Sequence, residues 1–373
     1  MPNNRIYYAV QSVGLQGDTT GGGYTAVHGL QSVGMTTNFN LDQVFEIGQL
    51  AIYENIEDIP DVEVTLTKAL DGYPLLWHLA TVDASSPTLA GRSTCKSYFA
   101  LAIYPDTYDS ASGDPSSLVQ CSGMYVSSLS YNFPVEDSFT ENVTLVGNDK
   151  VWMNDPKPTN PNLVTPSFGG TTFHNNNDSP IGNAGVNRRQ DLTFIHQNDV
   201  DKTILPYEVD GISSSGTNEQ SNGEDFDAHI QNITVSADFG RPELYELGRR
   251  APYHRHIEWP VEITCEIVTT SSSGDMVSAT EDGIYTTGTA ACTDGSNLAA
   301  REIRIATCEG TRIYLGNDNK LASVNYGGGD AGGGNVTVSY TFTTFNNLTV
   351  IHSGDPNSNG GTWWDSRETW LTT

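Results

Sequence analysis

The chain has 373 residues, enough for two domains that each bury a core without metal or disulfide support. Charged residues make up only 17%, and 37 Gly and 17 Pro stand among abundant Thr, Ser, Asn, Val and Tyr, a composition of short strands and many turns. With 18 Lys and Arg against 45 Asp and Glu, the net charge of -27 repels phosphate, which excludes ordinary nucleic-acid binding and attraction to anionic lipid.

The amino-terminal stretch "MPNNRIYYAVQSVG" lacks the basic start and apolar centre of a signal peptide, and no apolar run approaches a membrane span. The expectation is a protein without a membrane span, made in a cytoplasm. From residue 31 to 60 the chain reads "QSVGMTTNFNLDQVFEIGQLAIYENIEDIP", and at an offset of 200 it reads "QNITVSADFGRPELYELGRRAPYHRHIEWP". Seven positions are identical between the two, Gln31/Gln231, Phe39/Phe239, Glu46/Glu246, Gly48/Gly248, Ala51/Ala251, Tyr53/Tyr253 and Pro60/Pro260. Average residue usage gives roughly two by chance, so the stretch reads as a duplication.

Beyond it, "VEVTLT" (62 to 67) falls on "VEITCEIV" (261 to 268), with Val64 over Ile263, and both alternate apolar with polar residues as half-buried strands do. "YPLLWHLATV" (73 to 82) and "SNLAARE" (296 to 302) are the best candidates for short helices. The cysteines Cys95, Cys121, Cys265, Cys292 and Cys308 are far apart, odd in number and free of CxxC pairs, so buried thiols are expected. "MYVSSLSYNF" (124 to 133) and "VTVSYTFTTF" (336 to 345) again alternate, and Val143 aligns with Val336. "GNDK" (147 to 150) and "GNDNK" (316 to 320) between such runs read as hairpin turns.

The first copy then carries about 37 extra residues, at about 152–190, dense in Pro, Asn and Gly and containing Phe168 and Phe173. A loop of that length is uncommon unless it has a task, and an arm lying on a neighbouring subunit is the reading adopted. "LTFIHQND" (192 to 199) and "LTVIHSGD" (348 to 355) close the two copies, and their shared His196 and His352 point to a structural hydrogen bond at a strand end. The domain plan is therefore 1–199 for the first β domain, 200–355 for the second, and 356–373 for a tail holding Trp363, Trp364 and Trp370. Exposed Trp associates readily, so these three are candidate anchors in a subunit interface.

Chemistry is sparse. His254 and His256 with Glu258 could share one face of a strand, but their counterparts in the first copy are Glu54, Ile56 and Asp58, a slot that needs no ligand. These histidines are taken instead as candidate interface residues. The chain has no GxSxG elbow, phosphate loop or HExxH helix, and its many carboxylates make adjacent acids uninformative. No catalytic residue, cofactor or metal is expected, and the chain is not read as an enzyme.

Two segments carry a family resemblance. "YNFPVEDSFTENVTLVGNDK" (131 to 150) and the "FEIG…Y…P.VEVT" block resemble the corresponding hairpin and corner of bacteriophage major tail, or tail tube, proteins. The resemblance covers about 5–150 and 204–355. It implies β-sandwich or barrel domains whose sheets join those of neighbouring subunits into rings, with the rings stacked into a hollow virion tail tube that meets other tail proteins and conducts DNA without binding it. Such proteins commonly form sixfold rings from one domain per chain. Two domains per chain favour a trimeric, pseudo-sixfold ring, with a hexamer as the alternative. The acidic charge suits a lumen to which DNA does not stick. A secreted or surface tandem β-sandwich adhesin or carbohydrate-binding protein shares the acidity and the tryptophans, and is the competing reading.

Overall fold

The computed structural model describes residues 5–18, 24–105, 115–154, 185–192, 228–249, 251–271, 303–307, 309–328 and 334–352, together with the short strands Phe194–Ile195 and Glu208–Val209 and residue 300. Phe168, Phe173, Trp363, Trp364, Trp370, His196 and, apart from residue 300, the helix expected at 296 to 302 lie outside them. The described chain is all-β, with two short α-helices, Leu76–Ala80 and Leu89–Arg92. The first falls within the predicted 73 to 82. The second is a four-residue turn whose amino end is capped by the Thr88 hydroxyl accepting from Gly91 N–H.

Eight antiparallel strands form one continuous run. In spatial order they are Leu30–Asn38, Asp61–Ala69, Thr140–Gly147, Ser117–Pro134, Ala228–Asp238, Glu262–Ser271, Thr337–Phe345 and Lys320–Gly327. The last four repeat the chain order of the first four: the first strand pairs with the second, the second with the fourth, and the fourth with the third. Two β-bulges recur as well. Gln31 and Gln231 are each the extra residue in their ladder, and so are Ser127 and Ala322 in theirs.

The bulges fix which residues correspond, and they correct the sequence alignment. Met35 faces Val64 and Val235 faces Cys265, so Val64 corresponds to Cys265, two residues beyond Ile263. Likewise Leu66 faces Val143 and Ile267 faces Tyr340, so Val143 corresponds to Tyr340 and not to Val336. Even-numbered slips keep the same side chains on the same face, so alternation alone could not detect them.

A second layer packs on this run. Strand Ser117–Pro134 is long enough to serve both layers: residues 117 to 122 pair with Asp149–Asn154, and 125 to 132 pair with Thr140–Gly147. It turns the corner near Gly123, whose φ of +62° suits a residue without Cβ. Its neighbour changes layer too, through Asn148 alone. "GNDK" is thus a corner between layers and not a hairpin, and "GNDNK" likewise separates Arg312–Tyr314, a strand of a separate five-stranded sheet, from Lys320–Gly327 in the run. Gly, Asn and Asp permit either kind of sharp bend, so composition does not distinguish them.

The core runs unbroken through both halves. It joins Val62, Val64, Leu66, Leu76, Trp77 and Leu145 of the first half to Ile233, Phe239, Ile263, Tyr340 and Val350 of the second. Helix Leu76–Ala80 is buried, and its amino end is closed by the Glu141 carboxylate, which accepts from Leu76 N–H at 2.6 Å, Trp77 N–H at 3.0 Å and the Tyr131 hydroxyl at 2.9 Å. Burial pushes the Glu141 carboxyl above its usual range, and these three donors with the Lys68 charge partly oppose that. The end of the expected insertion is built into the same core. Asn187 N–H donates to Leu70 O at 2.9 Å, Asn187 O accepts from Phe139 N–H at 3.0 Å, and its amide donates to the buried Glu309. Asn187, inside the stretch expected to be an arm on a neighbouring subunit, therefore belongs to the fold of its own chain.

Candidate assembly surface

Between its first and second strands each half sends out a hairpin. In the first half Leu41–Phe45 pairs with Ile52–Glu57, and in the second Glu243–Leu244 pairs with His254–Arg255. Both turn through a glycine in the left-handed region, Gly48 at φ +98° and Gly248 at φ +88°, with space around it, so the shared glycine answers a backbone demand. The two hairpins have different surroundings.

The base of the second hairpin sits on the first half of its own chain. Phe239 is 0% exposed, with its ring 5.5 Å from that of Trp77. Its N–H donates to Ser127 O at 2.8 Å, extending the ladder between the halves by one bond. Arg241 is buried beside it, donating to Val126 O at 2.7 Å and Ser93 O at 2.6 Å with its guanidinium over the Tyr125 ring. Desolvation lowers the Arg241 pKa to about 10, still well above neutral. Arg255 closes the junction, reaching Asp61 at 2.7 Å, Asn148 at 3.2 Å and Glu243. Partial burial pushes the Asp61 carboxyl up, but hydrogen bonds from Asn40 and Arg255 and the Arg255 charge outweigh this and hold it below its usual value.

Among the predicted interface residues, His254 lies in this junction, its Nδ1 3.0 Å from the Tyr125 hydroxyl and the rings edge to face. Desolvation and the nearby Lys96, Arg241 and His256 lower its pKa, so it is neutral at physiological pH. His256 is half-buried two residues on. The contact of His254 is thus with its own chain. His352, read from sequence as a structural histidine, is buried directly after strand Thr349–Ile351, with its ring 6.5 Å from that of His78. Among the described residues no group of three His, Cys, Asp or Glu could hold a metal ion, and no helix is long and apolar enough to cross a membrane.

The first hairpin has no such seat among the described residues. Phe39, the counterpart of Phe239, is 66% exposed, and Leu41, Phe45, Ile47, Leu50, Ile52, Tyr53 and Ile56 are exposed with it. Such a concentration of exposed apolar side chains marks a contact surface. The outer edges of the eight-strand run are equally open: among the described residues neither Leu30–Asn38 nor Lys320–Gly327 has a strand on its far side. Long unpaired edges are usually avoided, because they recruit other chains. The sequence did not single out Phe39; its identity with Phe239 was the available signal, but it could not say that only one of the two would be covered.

No protein-family model and no curated protein matches the chain. Among solved structures it is similar to the PVC sheath/tube terminator of an extracellular contractile injection system in the extended state, at 12% identity over 41% of this chain and 99% of the other, with a TM-score of 0.30. It is also similar to the tube-terminating cap of the anti-feeding prophage, at 12% identity over 40% of this chain and 91% of the other, with a TM-score of 0.29. A third is a chain of the native gene transfer agent virion, at 6% identity over 38% of this chain and 95% of the other, with a TM-score of 0.26. These neighbours are components of injection-system, prophage and virion particles, but at such TM-scores the likeness carries no argument for what this chain does.

Proposed function

We propose that the chain is a structural virion protein that polymerises as stacked rings into a tail tube, with two related β units per chain occupying near-equivalent places around the axis. The observation that carries this reading is the eight-strand run of two like quartets, ending at each side in a strand that is unpaired among the described residues. A sheet that already contains one quartet-to-quartet junction and leaves both ends open is suited to continue through further copies of itself. Head-to-tail contacts of that kind close into a ring when the rotation permits.

A trimer then supplies six quartets, and the formal charge of -27 gives DNA few cations to hold it as it passes. The partners are other copies of this chain and other tail proteins, and the location is the virion tail. Negative-stain electron microscopy of the purified chain tests the reading. Rings or hollow tubes with three- or sixfold end views are expected; particles that stay monomeric at high concentration and after seeding with tail-tip complexes would refute it.

A further inference from the structure

The junction inside the chain supplies a residue-level template for a junction between chains. Within the chain, strand Ser117–Pro134 ends the first quartet and Ala228–Asp238 begins the second. They pair antiparallel, with Tyr131 opposite Val235, Ser130 opposite Ser236 and Ser128 opposite Asp238. The bulge at Ser127 corresponds to that at Ala322, and the bulge at Gln31 to that at Gln231. Tyr131, Ser130 and Ser128 therefore correspond to Tyr326, Asn325 and Ser323, while Val235, Ser236 and Asp238 correspond to Met35, Thr36 and Asn38.

We infer that strand Leu30–Asn38 of one chain adds antiparallel to Lys320–Gly327 of a second copy, with Met35 opposite Tyr326, Thr36 opposite Asn325 and Asn38 opposite Ser323. This rests on the assembly reading and adds its register and its anchor residues. Phe39 N–H then donates to Ala322 O, as Phe239 N–H donates to Ser127 O.

Burial supports the match from both sides. Tyr326 is 62% exposed, whereas its counterpart Tyr131 is 0% exposed; Phe39 is 66% exposed, whereas Phe239 is 0% exposed. Each open edge thus presents an aromatic residue whose partner in the other half is fully covered at or beside the internal junction. A second copy placed in the same register stands against Phe39 as the first half stands against Phe239, whereas Tyr131 is closed by Glu141 of its own half.

The charged residues do not repeat. Arg241 corresponds to Leu41, and Arg255 to Asn55, because Glu243 faces Arg255 as Gln43 faces Asn55. The hydrogen bond that Thr234 makes across the internal junction to Asn132, at 3.1 Å, has Gly34 and Gly327 in its place. The junction between chains is accordingly more apolar and less bonded by side chains than the internal one.

The test is disulfide trapping in assembled full-length protein. Thr36 and Asn325 are both exposed and stand in strands at opposite ends of the run. The double variant Thr36→Cys/Asn325→Cys is compared with Thr36→Cys/Ser323→Cys, in which the second cysteine is two residues out of register, and with the parent chain. Directly opposed cysteines fall within disulfide range, and diagonal ones lie at or beyond its limit.

Under mild oxidation the first variant is expected to give covalent multimers on a denaturing gel at several times the yield of the second, with the parent chain giving none. Reduction should return all of it to single chains. Assembled particles that yield no cross-link, or equal cross-linking in both variants, overturn the register while leaving the assembly reading standing. A parent chain that never assembles overturns both. Unchanged melting temperatures of the dispersed variants ensure that a missing cross-link reports on the junction and not on misfolding.

Discussion

Phe39 and Phe239 offer a matched pair of perturbations, the same residue at corresponding places with opposite surroundings. Phe239 has no exposed surface and its ring lies against Trp77 in the shared core, so Phe239→Ala leaves a cavity among side chains that cannot all collapse into it. The expected cost is roughly 3–5 kcal/mol. At about 2 °C per kcal/mol for a chain of this size, the melting temperature of the dispersed protein falls by roughly 6–10 °C. Phe39→Ala removes a side chain that is 66% exposed and changes the stability of the isolated chain by less than about 0.5 kcal/mol.

In the assembly the order reverses. Covering Phe39 contributes about 2 kcal/mol at each junction, so its loss weakens every contact by roughly thirtyfold. Thermal melts of dispersed protein by circular dichroism, paired with sedimentation velocity across a concentration series, separate the two effects. If Phe39→Ala melts as low as Phe239→Ala, or sediments as assemblies at the parental concentration, then Phe39 is not a junction residue and the reasoning fails.

Arg255→Ala strips the cation from two acids of which Glu243 is largely buried, and should cost roughly 3 kcal/mol, near the lower end for a broken buried pair because Asp61 keeps substantial contact with water; chemical denaturation that moves by less than about 0.5 kcal/mol would remove Arg255 as the closure of the junction. Asp61 gives this junction a pH dependence. Its carboxyl is held below its unfolded value, so its contribution is present above about pH 4 and is lost as the pH falls through the folded value. The stability gap between the parent and Asp61→Asn should therefore narrow on acidification, and a gap constant from neutral pH to pH 3 would contradict the assignment. Glu141→Gln replaces an all-acceptor carboxylate that serves three buried donors with an amide that cannot accept on its nitrogen, so a loss of about 1–3 kcal/mol is expected in urea melts; a neutral result would show that the helix end does not depend on the charge.

The alternation of Val62, Val64 and Leu66 with Glu63, Thr65 and Thr67 marked a half-buried strand, and the matched Gly48/Gly248 and Tyr53/Tyr253 marked a corner written twice. Each was legible because one face of a strand must be apolar and one backbone position must accept positive φ, demands met by residues close together in the chain. Register was not legible. A slip of two residues leaves every side chain on its original face, and only the bulges at Gln31, Gln231, Ser127 and Ala322 place Val64 with Cys265.

Nor could composition say that "GNDK" turns between layers instead of reversing a hairpin, or that Asn187 at the end of a Pro- and Asn-rich stretch bonds into the core. Above all, the identical Phe39 and Phe239 acquire opposite environments. Local sequence sets strands, corners and acidity; whether an aromatic residue is covered depends on what lies across the sheet edge. The first half stands beside Phe239 in its own chain, and in the proposed assembly a second molecule stands beside Phe39.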